Sequence, residues 1–264
     1  MVTINEIAQR IEAFAPLRLA GDWDNVGLIL GSRTQPVSRV LLALDVDMAV
    51  AQEAAELGAQ AIVSHHPMLF GGCKKINSDT PEGESILYLL KHGIAVYSAH
   101  TNLDAAKGGL NDYLASLYRL GQVRTTDIVY SDEKEQYGLG RVGLLPRVMP
   151  LKELAAEVAR KLGVEQVSYV GNGDRAVRRV AICSGGGGGR ISPALAAEAD
   201  VYVTGDVKYA GARDAAALGL AVIIAGHYDT EIFCMRIFAD ILAPLRLELL
   251  ASKANMNVFQ TLKI

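Results

Sequence analysis

Five histidines stand in this chain: His65, His66, His92, His100 and His227. Four of them end short apolar runs of the kind that form buried strands. AIVS leads into His65-His66, IAVYSA into His100 and AVIIAG into His227. In open α/β sheets the carboxyl ends of the strands are where ligands bind, so the pattern predicts imidazoles gathered on such an edge. Two of them carry an acidic residue four positions later: His100 with Asp104, and His227 with Glu231. If each strand turns into a helix there, residues i and i+4 share one face and can serve one centre. Taken singly, each pair reads equally as a helix cap or a surface pair, and His65-His66 as one core and one surface histidine. It is the convergence of all of them on one edge that favours metal binding. His92 differs, since it precedes Gly93 at a predicted helix end and simply faces the dipole there.

The donor set is imidazole and carboxylate without thiolate, which suits Zn, Mn, Fe, Co or Ni. Two ions taking about four to six ligands each would leave positions that five or six side chains cannot fill, so water or substrate must complete the shells. A carboxylate has two oxygens and is the best bridge between ions, which makes Asp104 and Glu231 the bridging candidates. An open site with two metals can clamp an oxyanion and generate hydroxide near neutral pH. The cysteines Cys73, Cys183 and Cys234 are odd in number, far apart and form no CxxC pair, so they read as reduced, small, half-buried residues.

Ser184 to Arg190, SGGGGGR, follows a predicted strand and precedes a predicted helix. Exposed backbone N–H groups of Gly185, Gly186 and Gly187, with Arg190, could hold an anion of the substrate. The segment is neither a Walker A loop nor a diagnostic GxGxxG, and a flexible turn that gives clearance explains it equally well. Asp22, Asp24 and Asn25 form an acidic loop that reads first as a turn and second as a cleft lining. Pro67 drives His66 out of helical conformation, and Phe70-Gly71-Gly72 fits a shaped loop beyond it. Lys74-Lys75 reads as a solvated pair.

The elements that must position these residues repeat. A helix is expected from Ile4 to Phe14 behind a Thr3/Glu6 capping box. Strands follow at 40–46, 61–64 and 94–98, with helices at 48–57 and 84–91. The second half runs strand 137–145, helix 151–162 and strands 167–170, 180–183, 201–204 and 221–225, with helices at 193–198 and 210–218. A last helix is expected at 232–242 and a returning strand at 248–250. QAIVSHH can be laid on DVYVTGD, and LLKHGIAVYSAHTNLD on AAALGLAVIIAGHYDTE, each ending in His and an acid four positions on. This predicts an internal duplication: two similar, interlocked α/β domains with mainly parallel sheets covered by helices. The first domain is expected at residues 1–125 plus 228–264 and the second at 135–227. Residues 124–135, polar and charged, read as the linker.

The length of 264 residues allows one large or two modest domains. A net charge of −3 provides no global basic field, which argues against nucleic acid as a partner. No apolar run is long enough to span a bilayer, and acidic residues interrupt any signal-like core near the start, so a cytoplasmic, non-membrane protein is expected.

The segments DNVGLILG (24–31), SHHPMLF (64–70), AHTNLDAAKGGLND (99–112), TGDVKYAGA (204–212) and AGHYDTEI (225–232) carry a wider resemblance. In their order and spacing the chain resembles the Nif-three-like family, also called GTP cyclohydrolase I type 2 homologues, in its short form without an inserted middle domain. The resemblance implies a dinuclear metal site in the cleft between two α/β domains. It implies ligands at His65, His66, Asp104, His227 and Glu231, with His100 as a further ligand or a proton-transfer residue. It also implies a toroidal homohexamer with its sites facing inward. The function expected from it is metal-dependent hydrolysis of a nucleotide or related heterocycle. The alternatives are a non-catalytic metal-handling or regulatory scaffold, and a ring that binds nucleic acid in its lumen.

Overall fold

The computed structural model describes residues 1–71, 73–260 and 262, so Gly72 of the predicted loop lies outside the described residues. The chain divides into two compact units, residues 1–103 with 232–264, and residues 104–231.

The first unit begins with β1 (Val2–Thr3) and α1 (Ile4–Phe14), then β2 (Gly27–Leu30), β3 (Pro36–Val37) and β4 (Arg39–Ala43). It continues through α2 (Met48–Glu56), β5 (Ala61–Ser64), α3 (Pro81–Lys91) and β6 (Ala95–Ser98) to α4 (Thr101–Ala105), which carries the chain onward. The Glu6 carboxylate accepts the Thr3 N–H at 2.8 Å, satisfying a donor ahead of α1. α1 then buries Ile4, Ile7, Ala8 and Ile11, the apolar stripe its spacing dictates. β4, β5 and β6 pair in parallel, with Val40 beside Ala61 and Ile62 beside Val96. β2 adds antiparallel beyond β6. The parallel strands are buried on both faces, which is why they read as continuous apolar runs. Leu41, Ala43, Val50, Ile62, Leu89 and Val96 form one core between sheet and helices. Each buried Val or Leu there contributes about 1.5–3 kcal/mol relative to exposure.

The second unit holds α5 (Leu110–Leu117), β7 (Gly121–Ser131), β8 (Gln136–Pro150), α6 (Leu151–Leu162), β9 (Ser168–Val170) and β10 (Ala176–Cys183). It closes with α7 (Ile191–Ala196), β11 (Val201–Thr204), α8 (Tyr209–Ala217), β12 (Ala221–Ile224) and α9 (His227–Glu231). The sheet order is β7-β8-β10-β11-β12-β9. Its centre, β10-β11-β12, is parallel, while β8 and β9 flank it antiparallel. The chain then returns to the first unit as α10 (Cys234–Leu242), packed on α1, and β13 (Glu248–Ala251), parallel to β4.

The two sheets share a winding. In the first, β2 precedes β4, β5 and β6 in the chain yet lies antiparallel beyond β6. In the second, β9 precedes β10, β11 and β12 and lies antiparallel beyond β12. Each series ends in a histidine at the start of a five-residue helix, His100 before α4 and His227 opening α9.

The expected linker at 124–135 is instead most of a β-hairpin. β7 pairs antiparallel with β8, Thr125 beside Arg141 and Ile128 beside Gly138. As an edge strand it exposes residues on both faces, so no alternation of apolar and polar marks it in the sequence. The strands approach so closely that a Cβ on Gly138 would lie 2.3 Å from the Thr126 carbonyl oxygen. The break between units falls at 103/104 rather than after 125, because α5 packs on β8 and β10 of the second sheet. Among the described residues no helix is long and apolar enough to cross a membrane.

Candidate metal centre

In the first unit β5 runs straight into His65 and His66, whose N–H groups continue the parallel pairing to the carbonyls of Ala43 and Leu44 at 3.2 and 2.8 Å. This ladder fixes the backbone of both histidines before any side chain acts. His100 follows β6 and is fixed by its own N–H, which donates to Asn102 Oδ1 at 2.9 Å. The three rings gather with centroids 5.1 to 5.4 Å apart. One donor nitrogen from each of His65, His66 and His100 falls within 4.8 Å of the others, an arrangement able to hold a metal ion.

What orients the rings is an oxygen at each Nδ1. His65 Nδ1 lies 2.9 Å from the Ala99 carbonyl oxygen, His66 Nδ1 2.7 Å from Asp45 Oδ1, and His100 Nδ1 3.0 Å from Asp24 Oδ1. A carbonyl only accepts, so His65 carries its proton on Nδ1 and presents Nε2 as the ligating atom. The carboxylates set the same tautomer on the other two. This is the outer shell found behind metal-bound imidazoles, which locks ring orientation and raises ligand basicity. Burial opposes ionisation of Asp24, but hydrogen bonds from His100 and Thr101 outweigh it and hold its pKa at about 2.

In the second unit the donors are Asp104, His227 and Glu231. Asp104 lies in α4 and is buried, accepting the Ser184 hydroxyl at 3.2 Å. α9 places His227 and Glu231 one turn apart, with Nε2 and Oε2 separated by 3.0 Å. His227 Nδ1 rests 2.8 Å from Asp206 Oδ2, the same outer-shell device again. Glu231 is only 3% exposed. The first unit thus carries a three-histidine group able to hold a metal ion, and the second a His227–Glu231 pair one helical turn apart.

The glycine run shapes the wall behind these donors. Gly185 has φ of +56°, and a Cβ there would lie 1.7 Å from Glu231 Oε1 and 3.1 Å from His227 Nε2. Its N–H donates to Thr230 Oγ1 at 3.0 Å and its carbonyl accepts the Asp206 N–H at 3.0 Å, which pins the loop to α9 and to the end of β11. Gly187 leaves room for the Tyr202 and Thr204 hydroxyls, which a Cβ would meet at 2.4 and 2.3 Å. Gly186 is looser, 3.7 Å from the His227 ring. The Arg190 guanidinium pairs with Asp127. Clearance thus accounts for Gly185 and Gly187, and Arg190 has a carboxylate partner of its own.

His92 caps α3, with its Nδ1 2.8 Å from the Tyr88 carbonyl oxygen, as its place before Gly93 predicts. Cys73, Cys183 and Cys234 form no disulfide, and burial pushes the Cys183 thiol up to about 12, so it stays protonated at neutral pH. Asp24 is more than a turn residue, because it orients His100. Asp45 and Asp206 were missed by sequence reasoning. The signal available was an acidic residue just beyond the end of a strand that neighbours a histidine-bearing one: Asp45 after β4, and Asp206 after β11.

A family model described as Duf34/NIF3 (NGG1p interacting factor 3) matches residues 2–259. A Clostridium perfringens protein named "GTP cyclohydrolase 1 type 2 homolog" is 37% identical over 228 residues, covering 86% of this chain and 86% of its own. A Lactococcus lactis protein of the same name is 37% identical over 240 residues, 90% of each chain. Among solved structures, a Bacillus cereus protein related to NIF3 superposes with a TM-score of 0.89 at 26% identity, covering 99% of each chain.

Proposed function

The chain belongs to the Duf34/NIF3 family, and on that premise we propose that it is a dinuclear metalloprotein that hydrolyses a nucleotide or related heterocycle. In this reading His65, His66, His100, Asp104, His227 and Glu231 would hold two divalent ions, drawn from Zn, Mn, Fe, Co and Ni. The observation that carries it is the oxygen behind every candidate imidazole: Ala99 O, Asp45, Asp24 and Asp206. Ligating histidines almost always have such an oxygen behind them, and here it recurs on rings that also gather within 5.1 to 5.4 Å of one another in the first unit.

Two divalent ions, when bound, supply Lewis acidity and an activated water. The chain's own part is to hold donors of fixed tautomer, with Asp24 orienting His100 and the bare Gly185 leaving space for Glu231. Asp104 and Glu231, both buried, would be the carboxylates that hold the ions. Gly185, Gly186, Gly187 and Arg190 line the wall rather than form the main anion contact, since Arg190 is already paired. Cysteines without a disulfide fit a reducing compartment, and the proposal places the protein in the cytoplasm. It also includes assembly as a toroidal homohexamer, which sedimentation equilibrium tests directly.

The test of the reaction is turnover of GTP by metal-loaded protein, followed by ring absorbance and phosphate release. Turnover should vanish on metal stripping, return on reloading, and be absent in His65→Ala. Full metal with no turnover across nucleotides would remove the hydrolase and leave a metal-handling protein.

A further inference from the structure

We propose that Trp23 and Phe70 form a stacking platform that takes the planar heteroaromatic ring of the substrate beside His100. This deepens the hydrolase reading and rests on it. The rings of Trp23 and Phe70 lie nearly parallel, 15° apart with centroids at 6.0 Å. Both meet the His100 ring edge-on, at 6.0 and 5.4 Å, each at 77°. Yet Trp23 is 60% and Phe70 47% exposed, so two large aromatic faces stand in solvent next to the histidine cluster. Leaving them there forfeits the burial that normally makes aromatic residues worth keeping.

The exposure is not that of a loose loop. Asp24, next to Trp23, accepts from His100 Nδ1 at 3.0 Å and from the Thr101 N–H at 3.1 Å. The following Asn25 donates through Nδ2 to the Leu69 carbonyl at 2.7 Å, tying the Trp23 loop to the residue before Phe70. The Gly21 N–H donates to Thr101 Oγ1 at 3.0 Å, and a Cβ on Gly21 would lie 2.9 Å from the indole Nε1, so the indole lies directly over a bare backbone. The platform is therefore built to one position relative to His100, whose donor nitrogen belongs with those of His65 and His66. A flat ring stacked there would carry its substituents towards those nitrogens. Base-on-aromatic stacking tolerates any base, because every base has a π-face, so the platform selects for a ring and not for one nucleobase.

Trp23 is the single tryptophan of the chain, so its fluorescence reports on the platform alone. Metal-loaded protein is titrated with GTP and ATP, and in parallel with tripolyphosphate and ribose 5-phosphate, which lack a ring. The expected result is saturable quenching by the two nucleotides only. Phe70→Ala should weaken nucleotide affinity about tenfold while metal content stays unchanged. Equal quenching by tripolyphosphate, or no quenching by either nucleotide, overturns the proposal. So does a Phe70→Ala protein that changes its association state while binding nucleotide as well as before, since the pair would then be a contact between chains. The binding readout needs no turnover: quenching without product sinks the hydrolase and keeps the platform, whereas turnover without ring-dependent quenching does the reverse.

Discussion

Replacing Gly185 by alanine should strip metal from the protein without unfolding it. The added Cβ would lie 1.7 Å from Glu231 Oε1, where real Cβ contacts stay beyond 3.0 Å. The carboxylate must therefore retreat by at least the difference, 3.0 − 1.7 = 1.3 Å. Metal–ligand distances tolerate about 0.2 Å, so Glu231 leaves the coordination shell altogether. Disturbing even an outer-shell partner lowers metal affinity about 10- to 100-fold, and a displaced ligand should cost at least that. The backbone cost is separate and small. Gly185 sits at φ +56°, and a non-glycine residue there costs about 1–2 kcal/mol, a shift in Tm of roughly 2–8 °C for a chain of this size. Metal per chain is read by plasma mass spectrometry after dialysis against a graded chelator, with Tm of the stripped protein as the control. A Gly185→Ala protein that keeps its metal at the native chelator midpoint would refute Glu231 as a ligand.

Asp45→Asn and Asp206→Asn should each lower metal affinity about 10- to 100-fold in the same chelator titration, because Asp45 holds the His66 ring and Asp206 the His227 ring. Arg141→Met should destabilise by about 3–5 kcal/mol in urea. This buried guanidinium serves the carbonyls of Gly138, Gly140, Ala105 and Ala106 and the Asp112 carboxylate, and methionine would remove every one of these bonds. For Glu53, burial opposes ionisation, but hydrogen bonds from Ser252, Lys253 N–H and Ala254 N–H together lower its pKa below 4.5. A depressed carboxyl pKa stabilises the fold above the unfolded value and loses that stabilisation as pH falls through the folded one. The stability gap between native protein and Glu53→Gln should thus be full above pH 4.5 and close below it in acid denaturation. A gap independent of pH would refute the clamp.

Much of this architecture is legible in the chain because parallel strands buried on both faces must be continuous apolar runs. VLLA, AIVS and AVYS declare themselves, as do VYVT and AVII. α6 was readable to the residue, since Leu151, Leu154, Ala155 and Val158 mark its buried stripe and Gly163 in left-handed conformation ends it. The hairpin of β7 and β8 was not, because an exposed edge strand has no buried face to impose a period. Histidines could be found by what precedes them. Their carboxylate partners could not, for Asp24, Asp45 and Asp206 lie 76, 21 and 21 residues from the rings they hold, and only the folded sheet brings them there. The glycine run illustrates the other limit. Its composition allowed an anion-holding loop and a turn giving clearance equally, and the need for a bare Cα at Gly185 depends on where Glu231 stands, which no local sequence reveals.

The proposal that these histidines and carboxylates hold two divalent ions is tested most directly by metal stoichiometry. Native protein reconstituted with each of Zn, Mn, Fe, Co and Ni should bind about two ions per chain with one of them. His65→Ala, altered in the first unit, and Glu231→Ala, altered in the second, should both fall well below that ratio. Native protein that takes up none of these metals, or either variant retaining the full complement, would contradict the account.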